Sequence, residues 1–359
     1  MPSDADNDSP SGRSSEVGCD QADDVRHAPQ HHNGRGRSWT ERQLRPCTRL
    51  LMLGLGFSTL ATLLAEFHWF ADLLANLRVQ LVFGILGLIV LSLACRYWRA
   101  VAIAIVLLAI HLPWFAAAFP RAETATPGDD VITITVVNVL TRNRNYDGVI
   151  EELSREDPDV FAVLELSPPL ASALNSELGV QYPHRVLRPL ATSNFGIGLY
   201  SKHPLRDEVV FASQPGVDSI AATLDIGSQA YRVIATHPLP PMNHALFECR
   251  NAQLQHVADR IASFQANAED VPVVLVGDLN LTPWSPWFSK FQNQADLARG
   301  IDRFTLQPTW YRFNAFPFGL VLDHCLADKT LICQKYEIGD DIGSDHRSIT
   351  VQLELSTAE

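Results

Sequence analysis

Three runs free of charged side chains fill most of the chain between residues 50 and 119. Leu50 to Ala65 covers 16 residues, Val79 to Cys95 covers 17, and Ala100 to Phe119 covers 20. A bilayer core takes about 17–25 apolar residues per helix, so the second and third runs fit and the first fits if it continues past Glu66. Helices of a soluble bundle would carry polar faces at 3.6-residue spacing, and these runs carry almost none. The pattern predicts a membrane anchor over residues 49–120 with three transmembrane helices. Two spans is the alternative.

Residues 1–48 are rich in Ser, Asp, Gly, His and Arg without apolar periodicity, and read as a disordered tail. His31 and His32 could suggest a metal site, but adjacent histidines in such a tail are ordinarily solvated. Nearly 50 polar residues precede the first apolar run, which argues against a secretory signal. Arg35, Arg37, Arg42, Arg45 and Arg49 precede the first run, and Arg96 and Arg99 bracket the loop before the third. Basic residues favour the cytoplasmic side, so the tail and that loop are expected inside. Three crossings then place the C-terminal part outside an inner cell membrane as part of a multi-pass protein; two crossings would reverse it.

The formal charge of −12 sharpens this division. Residues 1–120 carry ten basic and ten acidic side chains, whereas 121–359 carry 18 and 30. An acidic C-terminal part argues against gripping nucleic acid through a broad basic face.

After a linker at 121–130, residues 131–356 read as one α+β domain. Short apolar strands are expected at 131–139, 160–166, 196–201, 219–225, 231–237, 272–277, 321–327, 333–338 and 348–355. Helices are expected at 146–155 and 247–264. Polar residues tip these strands: Asn138, Glu165 inside VLEL, His237 closing RVIATH, Asp278 and Asn280 in GDLN, Asp323 in LVLDH, and Asp345-His346 in GSDHRSI. One such residue alone is ordinarily a turn or cap. Six strand ends in one domain, all tipped with metal-binding or acid–base groups, are harder to explain that way.

In order and spacing these residues resemble the endonuclease/exonuclease/phosphatase superfamily of metal-dependent phosphoesterases, over about residues 130–356. TPWSPWF after GDLN and PTWYRF before LDH resemble the bacterial subgroup with N-terminal transmembrane helices. Leu164 departs from the pattern, since many members have Gln there. The resemblance implies a four-layer α/β/β/α sandwich with the site at one rim. It implies Mg²⁺, or Mn²⁺, as cofactor, with Glu165 as first ligand, Asn138 beside it and Asp345 as a further one; hard oxygen donors suit that ion. His346 is then the acid–base or charge-stabilising group, with Asp323 fixing its tautomer. His237 would contact the scissile phosphate. Asp278 and Asn280, two apart on a strand-like DLN, would face one side and orient water and phosphate.

Other residues have competing readings. Arg250 and Gln253 lie one helical turn apart, either near the phosphate or on an exposed helix face. His324 points away from Asp323 and is expected to be structural. Trp284, Trp287, Trp310 and Tyr311 could rim the site or pack a loop. Arg142 and Arg144 could supply local positive charge or be ordinary loop residues. No CxxC spacing occurs, and Cys325 and Cys333 could pair across a hairpin if the domain is extracytoplasmic.

The expected protein is a membrane-anchored Mg²⁺-dependent phosphoester hydrolase of phosphodiesterase or nuclease type. Its partners would be the lipid bilayer and a phosphoester substrate, either nucleic acid or a lipid or small-molecule phosphate. A lipid or sugar phosphatase is one alternative. A non-catalytic, membrane-tethered interaction module is the other, although that predicts lost ligands where every matched position is filled.

Overall fold

A computed structural model describes residues 39–121, 131–268, 270–313 and 315–356. The expected tail over 1–38 and most of the linker, 122–130, lie outside the described residues.

The apolar segment forms α1 (Trp39–Ala61), α2 (Trp69–Asn76), α3 (Arg78–Ala94) and α4 (Trp98–His111), the last continued by 3-10 turns over Leu112–Ala118. Two helical stretches, Leu44–Leu64 and Trp98–Ala118, are long and apolar enough to cross a membrane. The expected second span, 79–95, coincides with α3, which is long enough only together with α2, from which it is bent by 67°. Leu77 is the single residue between them, and the His68 ring caps α2 by accepting from the Phe70 amide. Ile85 and Leu88 of α3 pack on Ala104 and Leu107 of α4, with Met52 and Leu55 of α1 against them.

Helix α1 begins at Trp39, inside the stretch read as tail. Its basic residues have partners: the Arg45 guanidinium donates to Cys95 O and, like Arg49, lies over the Tyr97 ring. These contacts sit at one end of the bundle. Thr59, hydrogen-bonded to His111 at 3.0 Å, marks the other end, about 21 Å further along α1 at 1.5 Å per residue.

The C-terminal part is a four-layer sandwich. One sheet contains β1 (Ile132–Asn138), β2 (Val160–Leu164), β3 (His184–Arg188), β4 (Ile197–Ser201), β13 (Leu331–Ile338) and β14 (Ile349–Leu355), in the order β13-β14-β1-β2-β4-β3. The other contains β5 (Arg206–Gln214), β6 (Val217–Ile226), β7 (Gln229–Thr236), β8 (Val273–Asp278), β9 (Leu297–Arg299) and β12 (Asp323–Asp328), in the order β5-β6-β7-β8-β12-β9. A two-stranded ribbon, β10 (Trp310–Tyr311) and β11 (Gly319–Leu320), stands apart. The inner faces meet through Val136, Ala162 and Leu199 on one side and Ile220, Val233 and Val276 on the other. Outside, α5 (Tyr146–Glu156) and α6 (Pro168–Glu177) cover Phe161 and Tyr200, while α7 (His244–Asn267) and α8 (Pro286–Ala295) cover Ile234 and Leu275.

The expected Cys325–Cys333 hairpin disulfide is not there. Strand β12 belongs to one sheet and β13 to the other, so the turn between them crosses the sandwich rather than closing a hairpin. Both thiols are free, and Cys333 Sγ donates to Lys335 O.

Candidate active site

Strand register brings the polar tips together. Parallel pairing of β1 with β2 sets Asn138 opposite Leu164, with Glu165 immediately after. Parallel pairing of β7 with β8 sets Thr236 opposite Gly277, so His237 and Asp278 emerge side by side. Antiparallel pairing of β12 with β8 sets Asp323 directly across from Asp278, and directly opposed residues share a sheet face. The 344–346 turn leads into β14, whose Ile349 lies opposite Val136 of β1. All the predicted tips therefore meet at one end of the sandwich.

Buried Asp278 is the hub. Its Oδ2 lies 3.1 Å from the Asn138 amide nitrogen, 3.5 Å from His237 Nε2 and 3.6 Å from His346 Nε2. The Asn138 contact joins the two sheets. Asp278 Oδ1 accepts from the Asn280 amide at 2.8 Å. His346 Nδ1 lies 2.8 Å from Asp323 Oδ2, and the Leu322 and Asp323 amides both donate to Thr309 Oγ1 at 3.0 Å. Burial alone would lower the His346 imidazole, but the Asp323 and Asp278 carboxylates outweigh it and raise it to about 9. Burial pushes Asp278 up, yet the imidazoles of His346 and His237 and the Asn280 amide hold it down to about 2.

Backbone geometry marks the same positions. Glu165 and Asn280 have φ of 60° and 49°, a region that disfavours side chains other than glycine. Such strain gathers at sites where direction of a side chain matters more than local stability. The expectation that Asp278 and Asn280 alternate along a strand is corrected here. Strand β8 ends at Asp278, and the left-handed Asn280 returns to the cavity through the turn closed by its own amide on Asp278. Gly343, at φ 85°, supplies the irregular turn that lets Asp345 and His346 both line the cavity.

Glu165 Oε2 accepts from the Thr141 amide at 2.8 Å and its hydroxyl at 3.0 Å. Asp345 Oδ2 accepts from Trp310 Nε1 at 3.1 Å. Glu165, Asp345, Asp278, Asn280, His237 and His346 all line one cavity of about 330 Å³. One cluster and one set of oxygen donors at this end of the sandwich are the candidates for a divalent ion. Asp278, Asp323 and His346 bring ligand atoms within 4.8 Å of one another. In that group His346 Nδ1 and Asp323 Oδ2 already satisfy each other. The Glu165, Asn138 and Asp345 set offers only oxygen donors, the kind Mg²⁺ prefers. On donor chemistry the residues fit such an ion.

Several secondary readings are decided. Arg250 is neither exposed nor at the cavity wall; it is fully buried and bonds Asp72 of α2 at 2.9 Å and Asn280 O at 3.4 Å. Gln253 is buried too. His324 Nε2 donates to Leu281 O at 2.8 Å, with its ring against Phe288. Of the four aromatics only Trp310 lines the cavity; Trp284 is buried against Phe115 of the N-terminal segment. Arg144 is exposed and donates to its own loop at Thr141 O and Asn143 O.

Sequence reasoning missed the contribution of α2. Leu73 and Asn76 line the cavity. Asn76 Oδ1 accepts from Thr282, from its amide at 2.6 Å and its hydroxyl at 2.9 Å, and Ser285 Oγ donates to Asp72 at 2.8 Å. The signal was present: Asp72 and Asn76, four apart, place two polar groups on one face of an otherwise apolar helix.

A family model described as the endonuclease/exonuclease/phosphatase family matches residues 136–346. The chain belongs to this family. Among solved structures it is similar to an endonuclease/exonuclease/phosphatase from Beutenbergia cavernae, at 21% identity over 63% of this chain and 72% of that one, with a TM-score of 0.53. It is also similar to D. rerio TDP2 complexed with a single-strand DNA product, at 18% identity over 63% and 100% of the two chains, TM-score 0.53. A third is SmcL, at 15% identity over 63% and 99%, TM-score 0.52. No curated protein matches the sequence. At these identities the structural likeness shows a shared fold over about 63% of the chain.

Proposed function

We propose that the protein is a membrane-anchored, Mg²⁺-dependent phosphoester hydrolase of phosphodiesterase type. The observation that carries this is the Asp278 carboxylate standing between the Nε2 atoms of His237 and His346, with Asp323 behind His346. Glu165, Asn138 and Asp345 would hold the ion, and Mn²⁺ would suit the same oxygens. When bound, it would neutralise charge on the non-bridging oxygens of the phosphate.

The chain's own groups do the rest. Asp278, held as a carboxylate, orients the attacking water and draws on its proton. Asn280 commits its amide nitrogen to Pro238 O at 2.8 Å, which leaves its amide oxygen to align water. His346 carries a proton at neutral pH, with Nδ1 held by Asp323 and Nε2 directed toward Asp278. That proton stabilises charge developing on the phosphoryl and leaving oxygens. His237 adds a second contact to the phosphate.

The anchor would sit in an inner cell membrane as a multi-pass segment. Arg45 and Arg49, gathered on Tyr97, mark the end of the bundle remote from the catalytic domain. The preference of basic residues for the cytoplasmic face places that end inside and the domain outside.

The test is hydrolysis of a generic phosphodiester, a phosphomonoester, DNA and a phospholipid by the full chain in detergent, with Mg²⁺ or EDTA. Activity abolished by EDTA, by His346→Ala and by Glu165→Ala is expected. Silence on every substrate, or variants as fast as the parent, overturns the assignment.

A further inference from the structure

The catalytic cavity does not end at the catalytic domain. Helix α2 of the apolar segment forms part of its wall through Leu73 and Asn76. Beside the cavity lies a groove of about 200 Å³ that shares Trp310 and Leu320 with it; the groove's lining is mostly apolar, with Gln80 and Arg312 as its polar side chains. Its walls are Leu77 and Gln80, at the α2–α3 junction, facing Phe313 and Phe318 of the β10–β11 ribbon loop. The loop is fastened there: Gln80 Nε2 donates to Pro317 O at 2.6 Å and Gly319 O at 2.7 Å, and Phe316 packs edge-on against Phe83 at 5.4 Å.

The groove leads to a surface that water does not favour. Phe313 and Phe318 stay 65% and 58% exposed, and beyond them α3 turns Phe83, Leu86 and Val90 outward. Those three positions, spaced three and four apart, form one face of a helix read as bilayer-embedded. A contiguous exposed apolar surface of this kind marks a partner or a membrane. A ligand that fills both compartments needs a phosphoester at one end and hydrocarbon at the other.

We infer that the substrate is a membrane-borne phospholipid diester. Its phosphate occupies the cavity, and an acyl chain lies in the groove between the α2–α3 junction and the Phe313–Phe318 loop. This rests on the phosphoesterase reading above and narrows it. The lipid would reach the site sideways from the leaflet, without leaving the membrane. The reaction balances with water alone: the water oxygen bonds to phosphorus, one P–O ester bond breaks, and the departing oxygen takes the proton as an alcohol. A base-stacking role for the phenylalanines is disfavoured because the groove ends on α3 and the C-terminal part is acidic, with 18 basic against 30 acidic residues.

The test uses the full chain in nanodiscs with Mg²⁺. Hydrolysis of dioleoyl phosphatidylglycerol in the disc is compared with that of glycerophosphoglycerol, which has the same diester and no chains, and of a single-stranded oligonucleotide. The expected preference for the chained over the chain-free diester is at least 100-fold. The exposed-site variants Phe313→Asp and Phe318→Asp should each reduce that ratio at least tenfold. Comparable rates on the two diesters, both abolished by Glu165→Gln, overturn the lipid inference and leave the phosphoesterase standing. A ratio unchanged in both variants, or an oligonucleotide cut faster than the lipid, also overturns it. No hydrolysis of any substrate overturns both readings.

Discussion

Asp72 and Arg250, 178 residues apart, form an ion pair at 2.9 Å in which neither side chain reaches solvent. One belongs to the apolar N-terminal segment, the other to the helix behind the catalytic loop. Removing one partner of such a pair strands a buried charge, at a cost of about 3–5 kcal/mol, whereas replacing both with apolar groups is often near neutral. Asp72→Ala or Arg250→Ala should therefore lower the thermal midpoint of the detergent-solubilised protein sharply. Asp72→Leu combined with Arg250→Met should recover most of that loss. Additive losses in the double variant would contradict the pairing.

His346 should titrate near 9 in the metal-free protein, above its ordinary 6.5. Its imidazolium thus contributes stability that is complete below about 6.5 and vanishes as pH rises through about 9. Asp278 works in the opposite sense: its contribution is present above about 3.8 and disappears as pH falls through about 2. Asp323→Asn should move the His346 midpoint down, and added Mg²⁺ should also lower it, since a nearby cation disfavours a second positive charge. Nitrogen-15 chemical shifts of the ring read all three directly.

Trp310 should act on metal affinity without touching the ion. Its indole nitrogen fixes Asp345 Oδ2 at 3.1 Å, and partners of that kind are worth about 10–100-fold in affinity. Trp310→Phe keeps an aromatic ring, though a smaller one, and removes the donor, so the Mg²⁺ concentration for half-maximal activity should rise by about that factor. An unchanged titration would mean that Asp345 is not a ligand.

A reporter active only in the cytoplasm, fused after Glu359, should be silent, while the same reporter at the N-terminus should work. Both reporters active would mean that only two of the helical stretches cross.

Much of the site was legible because strand tips alternate between chemistry and turn residues, and each predicted tip stands at the rim. Asn138, Glu165, His237, Asp278, Asp323 and His346 needed only correct strand ends to be placed. Asn280 lines the cavity through a left-handed turn that a two-residue alternation does not show. Strand β5 was missed because it is an edge strand that opens with three exposed charged residues and buries none of its side chains fully, and α8 because of the Pro and Trp in its first turn. The roles of Asp72, Asn76 and Arg250 were hidden for another reason. Asp72 and Asn76 show in the sequence only as two polar groups four apart on an apolar helix, a spacing that does not say that Asp72 meets a residue 178 positions away.

Helix α2 is held on both sides, by Arg250 and Thr282 along its flank and by the single residue Leu77 at its end. A connection that short has no slack. Inserting one residue after Asn76 would advance the helical phase by about 100° and slide the chain about 1.5 Å, swinging α3 away from the Phe313–Phe318 loop while α2 stayed fixed. The apolar helices thus behave less like a leash than like a tool-rest: they set the height at which the cutting edge works. Exchanging them for another segment of equal hydrophobicity would lose that alignment.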